Sequence, residues 1–294
     1  MTVWIDNPDW PFRGTWFAHM VSDSSLEELH DVAERAGVHP RGFDRDHYDV
    51  PERLLGACRT AGAVPAPTRR LIRALRESGL RLTKARLKAQ RQDRVDRLLS
   101  SWPLPAGALG AELVDRWSEP HRRYHDPRHL ERCLTALAEL GCSDRLVELA
   151  VWFHDAVYAG RPGADENASA ELAEARLAGL LSPEDVTEVA RLVRLTAGHR
   201  VEPGDTRGAY LCDADLAVLG GSAEDYARYC REVRMEYADV PLADFRRGRL
   251  QVIEHLLALD PLYRTDRARD LWATAAVRNL GREADRLRGL TASR

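Results

Sequence analysis

Short apolar runs and longer stretches with apolar residues every three or four positions divide the chain into predicted elements. Thr2-Val3-Trp4-Ile5 is a brief β-prone run that ends at Asp6. From Ser24 to Ala36, Leu26, Leu29, Ala33 and Ala36 share one helical face. Ser24 or Ser25 can cap this helix with Glu27 or Glu28 three residues on, and Gly37 supplies its stop. Pro51 opens a further helix to Gly62, Ala63-Val64 is strand-like, and a basic amphipathic helix carries Leu71, Ile72, Leu75 and Leu80. The order β, α, α, β, α predicts a small α/β domain over residues 1–85. Residues 84–100, KARLKAQRQDRVDRLLS, are charged and helix-prone, and Trp102-Pro103-Leu104-Pro105-Ala106-Gly107 breaks the pattern. Residues 86–107 therefore read as a helical linker.

Beyond Ala108 the periodicity is helical almost throughout. Helices are predicted over about 108–118, 127–140, 144–158, 165–180, 183–197, 223–237, 242–258 and 266–288. Ser182-Pro183-Glu184-Asp185 is a helix start with cap, proline and acids in order, and Gly198 marks the end of that helix. Residues 108–294 are thus predicted to form an all-α second domain.

Composition narrows the classes. The chain has 294 residues, 44% hydrophobic and 30% charged, with a net charge of −3. That is an ordinary globular balance, with no basic field pointing to nucleic acid and no acidic excess pointing to disorder. Cys58, Cys133, Cys142, Cys212 and Cys230 are scattered and contain no C-x-x-C, which fits reduced thiols and a cytoplasmic setting. The opening MTVWIDNPDW does not read as a signal peptide, and no apolar run has the length of a membrane span. A soluble cytoplasmic protein without a membrane partner is expected.

One segment departs from this tidy patterning. In Leu146–Tyr158 the residues Leu146, Val147, Leu149, Ala150, Val151, Trp152, Phe153, Ala156, Val157 and Tyr158 are apolar. A helix apolar on nearly every side is a buried central helix, so His154 and Asp155 lose much of their water. A buried carboxylate needs a compensating positive charge, and a divalent cation uses ionised carboxylate and neutral imidazole together. Tyr124-His125-Asp126-Pro127-Arg128-His129 offers two more imidazoles, and Cys212-Asp213-Ala214-Asp215-Leu216 sets two acids in an apolar run. One histidine, the His154-Asp155 pair and one of those acids would make a His₂Asp₂ set. Mixed ligands of this kind with free positions suit a catalytic divalent ion better than a closed structural zinc.

The ordered blocks RRYHDPRH, FHDAVY, DENASA, TAGH, DADLAVLG, REVRMEY and GRLQVIEHLL resemble the HD-domain metal-dependent phosphohydrolase superfamily, in particular a bacterial subgroup of predicted phosphohydrolases. The resemblance covers about residues 109–265 and implies an all-α fold that hydrolyses phosphate esters, often in nucleotides. By position it implies His129, His154, Asp155 and Asp215 as metal ligands, with Asp213 in reserve and His125 as a rival or phosphate-contacting group. The expected ion is Mn, Fe, Co, Ni or Mg, and two imidazoles argue against Mg. His199 reads either as a capping histidine or as a pocket residue, and Glu166 as helix-terminal decoration or as an organiser of water. Together with Asp155, His199 and Glu166 are the candidates for handling the water's proton. Arg123 and Arg249 are the arginines singled out for phosphate.

The implied partner is a small phosphorylated substrate, a nucleotide or a relative of one. The rival reading is a catalytically silent nucleotide-sensing module with the leading domain as its partner-binding output. With Trp16-Phe17-Ala18-His19-Met20 and Phe43-Asp44-Arg45-Asp46-His47-Tyr48-Asp49-Val50-Pro51, the leading domain resembles a small bacterial domain of unknown function. Its His19, Asp46, His47 and Asp49 read either as a polar pocket or as a loop that holds the small fold together. Its basic helix (Arg69, Arg70, Arg73, Arg76) reads as a solvated face rather than a nucleic-acid surface. The sequence leaves open the oligomeric state, the number of metals and the choice among monoesterase, diesterase and pyrophosphohydrolase.

Overall fold

The computed structural model describes residues 1–292 apart from 13, 82 and 106, with side chains for all of these except 84 and 290–292. Ala106 of the predicted break and the last two residues of the predicted second domain lie outside that set. The chain divides into two units, Met1–Gln90 and Arg91–Arg294.

The first unit is built on a sheet in the order β4-β5-β3-β1-β6, with β2 also paired to β3. The strands are β1 (Val3–Ile5), β2 (Trp10–Phe12), β3 (Thr15–Ser22), β4 (Phe43–Asp44), β5 (His47–Pro51) and β6 (Val64–Pro65). Only the β1–β6 pair is parallel among these pairings. Helices α1 (Leu26–Arg35), α2 (Leu55–Thr60) and α3 (Thr68–Glu77) complete the unit. Ser25 is the residue that caps α1, accepting the Glu28 N–H, and Gly37 takes the left-handed conformation after it at φ 71°.

The periodicity found the strands at the two ends of this unit and missed β2 to β5. In β3 both faces become buried toward its end, at Ala18, Met20, Val21 and Ser22, so no clean alternation survives. Pro51 closes β5 rather than opening a helix; a 3₁₀ turn (Glu52–Leu54) then leads into α2. One face of the sheet packs Val3, Ile5, Ala18, Met20, Tyr48 and Val50 against Leu29, Val32 and Ala33 of α1. On the other face Val21 and Trp4 lie under Leu71, Ala74 and Leu75 of α3.

The charged segment forms helix α4 (Lys84–Ser100). Leu98, Trp102 and Leu104, all inside the predicted linker, are buried in the core of the helical unit. Gly110 permits this, because a Cβ there would stand 2.9 Å from the Trp102 ring.

The second unit is mostly helical. It contains α5 (Gly107–Trp117), α6 (Pro127–Glu139), α7 (Arg145–Phe153), α8 (Ala164–Leu177), α9 (Pro183–Leu195), α10 (Thr206–Asp215), α11 (Ala223–Glu236), α12 (Leu242–Leu257), α13 (Asp266–Ala268) and α14 (Thr274–Ala292), with a π-helical turn (Arg269–Ala273) before α14. As its composition predicts, α7 is the central helix: Leu146, Val147, Leu149, Ala150, Val151, Trp152 and Phe153 are all buried. It packs against α6, α8, α9 and α10.

Two details differ from expectation. First, α7 stops at Phe153 instead of running to 158. The guanidinium of Arg122, itself buried, donates to the carbonyls of Asp155 (2.7 Å), Ala156 (3.2 Å) and His125 (3.0 Å). Those carbonyls therefore do not need helical partners, and the chain turns at His154-Asp155. Second, α10 has no predicted counterpart, because it sets Gly208, Leu211, Cys212, Asp213 and Ala214 inward and so buries an acid on its apolar face.

Candidate metal centre

Four elements deliver the polar side chains. Asp126 caps α6 and Pro127 starts it, which places His129 within its first turn, facing inward. His154 is the C-terminal cap of α7 and Asp155 follows it. Asp215 is the last residue of α10. His199 follows α9 with its backbone N–H on the Leu195 carbonyl at 3.0 Å. It is His199, not Gly198, that takes the left-handed conformation, at φ 52°. A side chain in that region costs about 1–2 kcal/mol relative to glycine.

His129 Nε2 and His154 Nε2 approach to 3.2 Å. Asp215 Oδ1 lies 3.1 Å from the first and 3.6 Å from the second. Asp155 Oδ2 lies 3.3 Å from His154 Nε2 and 3.9 Å from His129 Nε2. His129, His154 and Asp215 form, with Cys133, one group whose ligand atoms all lie within 4.8 Å of one another, and Asp155 adjoins it through the two imidazoles. Both imidazoles are buried, while the two carboxylates keep 14% and 15% of their side chains exposed, so solvent reaches the group from the carboxylate side.

The outer shell fixes these donors. His154 Nδ1 stands 2.8 Å from the Val151 carbonyl, which can only accept, so Nδ1 carries a proton and Nε2 turns inward. His199 Nε2 meets Asp215 Oδ2 at 2.8 Å and leaves Oδ1 for the centre. Burial alone would raise the Asp155 carboxyl, yet the facing His154 and His125 hold it well below the usual range. Asp215 is lowered in the same way by His154 and its hydrogen bonds to His129, His154 and His199. Burial lowers His129, which favours the neutral ring a cation requires. His154 is raised despite its burial, because Asp155 and Asp215 both face it. A proton there does, in a metal-free site, what a cation does in a loaded one.

His125 stands at the edge, its Nε2 3.9 Å from Asp155 Oδ2. Its Nδ1 is 2.5 Å from Glu236 Oε1. Burial opposes its charge, but Asp155 and Glu236 raise its pKa. Glu236 organises the whole loop. Its Oε2 accepts the N–H groups of Arg123, Tyr124 and His125 at 2.8, 3.0 and 3.2 Å, and its Oε1 also accepts the Tyr158 hydroxyl at 2.7 Å.

The remaining predicted residues make their hydrogen bonds outside this group. Asp213 is fully buried and accepts the N–H groups of Arg264 and Thr265 and the Thr265 hydroxyl, all at 2.7 Å. It fastens the segment before α13. Glu166 accepts the Gly163 N–H at 2.6 Å and caps its own helix, yet it stays near enough to Asp155 for that carboxylate to help burial raise its pKa. Arg249 is buried against Glu283 and Tyr229, and ring contacts lead from it to His129 through Tyr229 and Tyr124. Arg123 folds back onto the carbonyls of Pro120 and Arg122.

Three contributors escaped the sequence reading. Cys133, one turn after His129, brings its Sγ to 3.6 Å from His129 Nε2, and burial raises its thiol far above the usual range. The i, i+4 spacing was its only signal. Arg122 carries no sequence signal that separates it from the surface arginines, and Glu236 has none locally, since these partners lie 78 or more residues away. Beside His129 a cavity of about 460 Å³ is lined by Tyr124 and by Arg94, Arg128, Arg132 and Arg228. Arg94, Arg128 and Arg228 are paired with Glu131, with Asp126 and Glu232, and with Asp225.

Residues 3–78 match a family described as a protein of unknown function, DUF4031. The match lies within the sheet unit and does not extend into the helical one. No curated protein and no solved structure matches the chain. No helix among the described residues is long and apolar enough to cross a membrane.

Proposed function

We propose that the helical unit is an HD-type metal-dependent phosphohydrolase acting on a small phosphate ester, a nucleotide or a relative of one. The observation that carries this reading is the convergence of His129, His154, Asp155 and Asp215, with two imidazole nitrogens 3.2 Å apart and a carboxylate oxygen in reach of both. Two ring nitrogens at that separation either share a proton or share a cation, and the two flanking carboxylates favour the cation. The donor set fits Mn, Fe, Co or Ni better than Mg.

When bound, a divalent ion supplies Lewis acidity to a phosphoryl oxygen and makes water a nucleophile at neutral pH. The protein's own part is to hold the donors and manage charge. His199 keeps Asp215 oriented, and Val151 does the same for His154. His125, its pKa raised by Asp155 and Glu236, would meet a phosphate oxygen or give a proton to a departing one. The cavity beside His129 sets four arginines against Glu131, Asp225 and Glu232, which leaves its lining one positive charge in excess toward an anionic substrate.

The test is a panel of phosphate esters and nucleotides with several divalent metals, comparing wild type with Asp155→Ala. The reading predicts metal-dependent phosphate release that the substitution abolishes. Activity that survives with Asp155 removed refutes it. Tight nucleotide binding without product under any metal would favour the silent sensing module instead.

A further inference from the structure

The sheet unit carries a second group of histidine and aspartate that plays no part in the centre described above. Alternation along β5 puts His47 and Asp49 on one face and the buried Tyr48 and Val50 on the other. The register sets Asp49 directly opposite His19 of β3. Tyr48, Val50, Ala18 and Met20 fill the core beneath α1, so the three polar side chains stand together on the opposite face. They remain accessible, at 38% exposed for His19, 29% for Asp49 and 19% for His47.

Their inner atoms converge. Asp49 Oδ1 lies 3.5 Å from His47 Nε2 and 3.8 Å from His19 Nε2, and one ligand atom from each residue falls within 4.8 Å of the other two. This oxygen is shut off from solvent yet accepts no well-formed hydrogen bond. A carboxylate oxygen in that state calls for a positive partner. The outer ring nitrogens are both directed at acids: His19 Nδ1 at Asp6 Oδ2 (3.4 Å) and His47 Nδ1 at Asp46 Oδ1 (2.8 Å). Asp6 and Asp46 are buried, and Asp6 is itself held by the His19 N–H (2.6 Å) and the Thr68 hydroxyl (2.9 Å). A carboxylate on the far nitrogen fixes the tautomer that points the Nε2 lone pair inward, the arrangement that supports metal-ligating imidazole.

We propose that His19, His47 and Asp49 form a second metal site, for a divalent first-row transition ion, with Asp6 and Asp46 as its outer shell. Two imidazoles and one carboxylate leave coordination positions open. The Trp10 ring lies parallel to His19 at 6.2 Å, and Phe17 meets Trp10 edge-on at 6.4 Å. Trp10 is itself 46% exposed, so an organic ligand reaching the open positions meets an aromatic wall.

The test is calorimetric titration of Mn²⁺ and of Co²⁺ into the chelator-treated full chain. The wild type takes up a metal equivalent that His47→Ala and Asp49→Asn each lose and that Asp215→Asn keeps. Asp46→Asn weakens the same binding event by about 10–100-fold, because it touches His47 and not the ion. Far-UV circular dichroism and metal-free melting curves that match wild type establish that the variants are folded. If His47→Ala is unfolded, His47→Gln keeps the bulk without the imidazole and takes its place. Unchanged stoichiometry and affinity in folded His47 and Asp49 variants overturn the proposal. Metal loss confined to Asp215→Asn counts against this site, and loss confined to His47 and Asp49 supports it whatever the helical unit does.

Discussion

Glu236 is where the structure makes its most quantitative demand. This carboxylate accepts three backbone N–H groups, the Tyr158 hydroxyl and the His125 ring, and its side chain is only 4% exposed. Burial would raise its pKa, but His125 and these donors lower it from 4.5 to about 2. At about 1.4 kcal/mol per pK unit, that difference is worth about 3 kcal/mol of stability when the group is ionised in both states. A depressed folded pKa gives stability that is present above pH 4.5 and lost as the pH falls toward 2. At pH 3, one unit above the folded value, roughly 1 kcal/mol remains. The perturbation is Glu236→Gln, which cannot ionise and sets an amide among donors. Hydrogen exchange of the Arg123–His125 amides in the full chain reads the result at pH 5.5 and pH 3. In the wild type, where Asp155 and Glu236 raise its pKa against the effect of burial, His125 is charged at both pH values. The variant exchanges faster at pH 5.5, and its ratio to wild type shrinks by roughly 30-fold at pH 3, the equivalent of about 2 kcal/mol. Equal exchange in the two proteins, or a ratio that ignores pH, refutes the reasoning.

Substitutions at three further positions separate positioning from packing. His199→Gly and His199→Ala both remove the Asp215 partner and weaken metal binding alike, but the glycine variant is more stable by about 1 kcal/mol because φ 52° costs it nothing; equal melting curves would contradict this. Asp213→Ala strands three donors in the core and costs about 3 kcal/mol in urea unfolding, while metal content in the folded variant stays that of wild type. Gly220→Ala pushes a Cβ to 2.3 Å from Trp272 Cβ, with Trp272 backbone at 2.8 Å, and lowers the melting point by an amount equivalent to about 3 kcal/mol; a neutral result would mean that the turn after Asp215 yields freely.

The site was more legible in the sequence than the fold around it. His154 and Asp155 stood out because polar groups beside a helix apolar on nearly every side call for a compensating charge, and α7, which ends just before them, is the buried helix that argument required. Asp213 against Asp215 could not be decided by pattern, since both sit in one apolar run. Three dimensions separate them: Asp213 turns to Thr265 and Arg264, and Asp215 to the imidazoles. Arg249 is held by Glu283, which lies too far along the chain to be read, and Glu166 takes the helix-terminal one of its two readings through the Gly163 N–H. The sheet unit was the weakest reading. Its strands are short, β3 is buried on both faces near its end, and Pro51 sits at a strand end where it resembles a helix start. The alternation of His47, Tyr48, Asp49 and Val50 was nonetheless present in the letters.

The central claim is that His129, His154, Asp155 and Asp215 share one divalent cation. Crystals of the full chain grown with Mn²⁺ or Co²⁺, measured at the metal's absorption edge, test it directly through anomalous scattering. The account predicts a peak about 2.1 Å from both Nε2 atoms and in contact with Asp155 and Asp215, absent from crystals of Asp215→Asn. Density between the imidazoles without an anomalous signal, in crystals that bind the ion elsewhere, would contradict it.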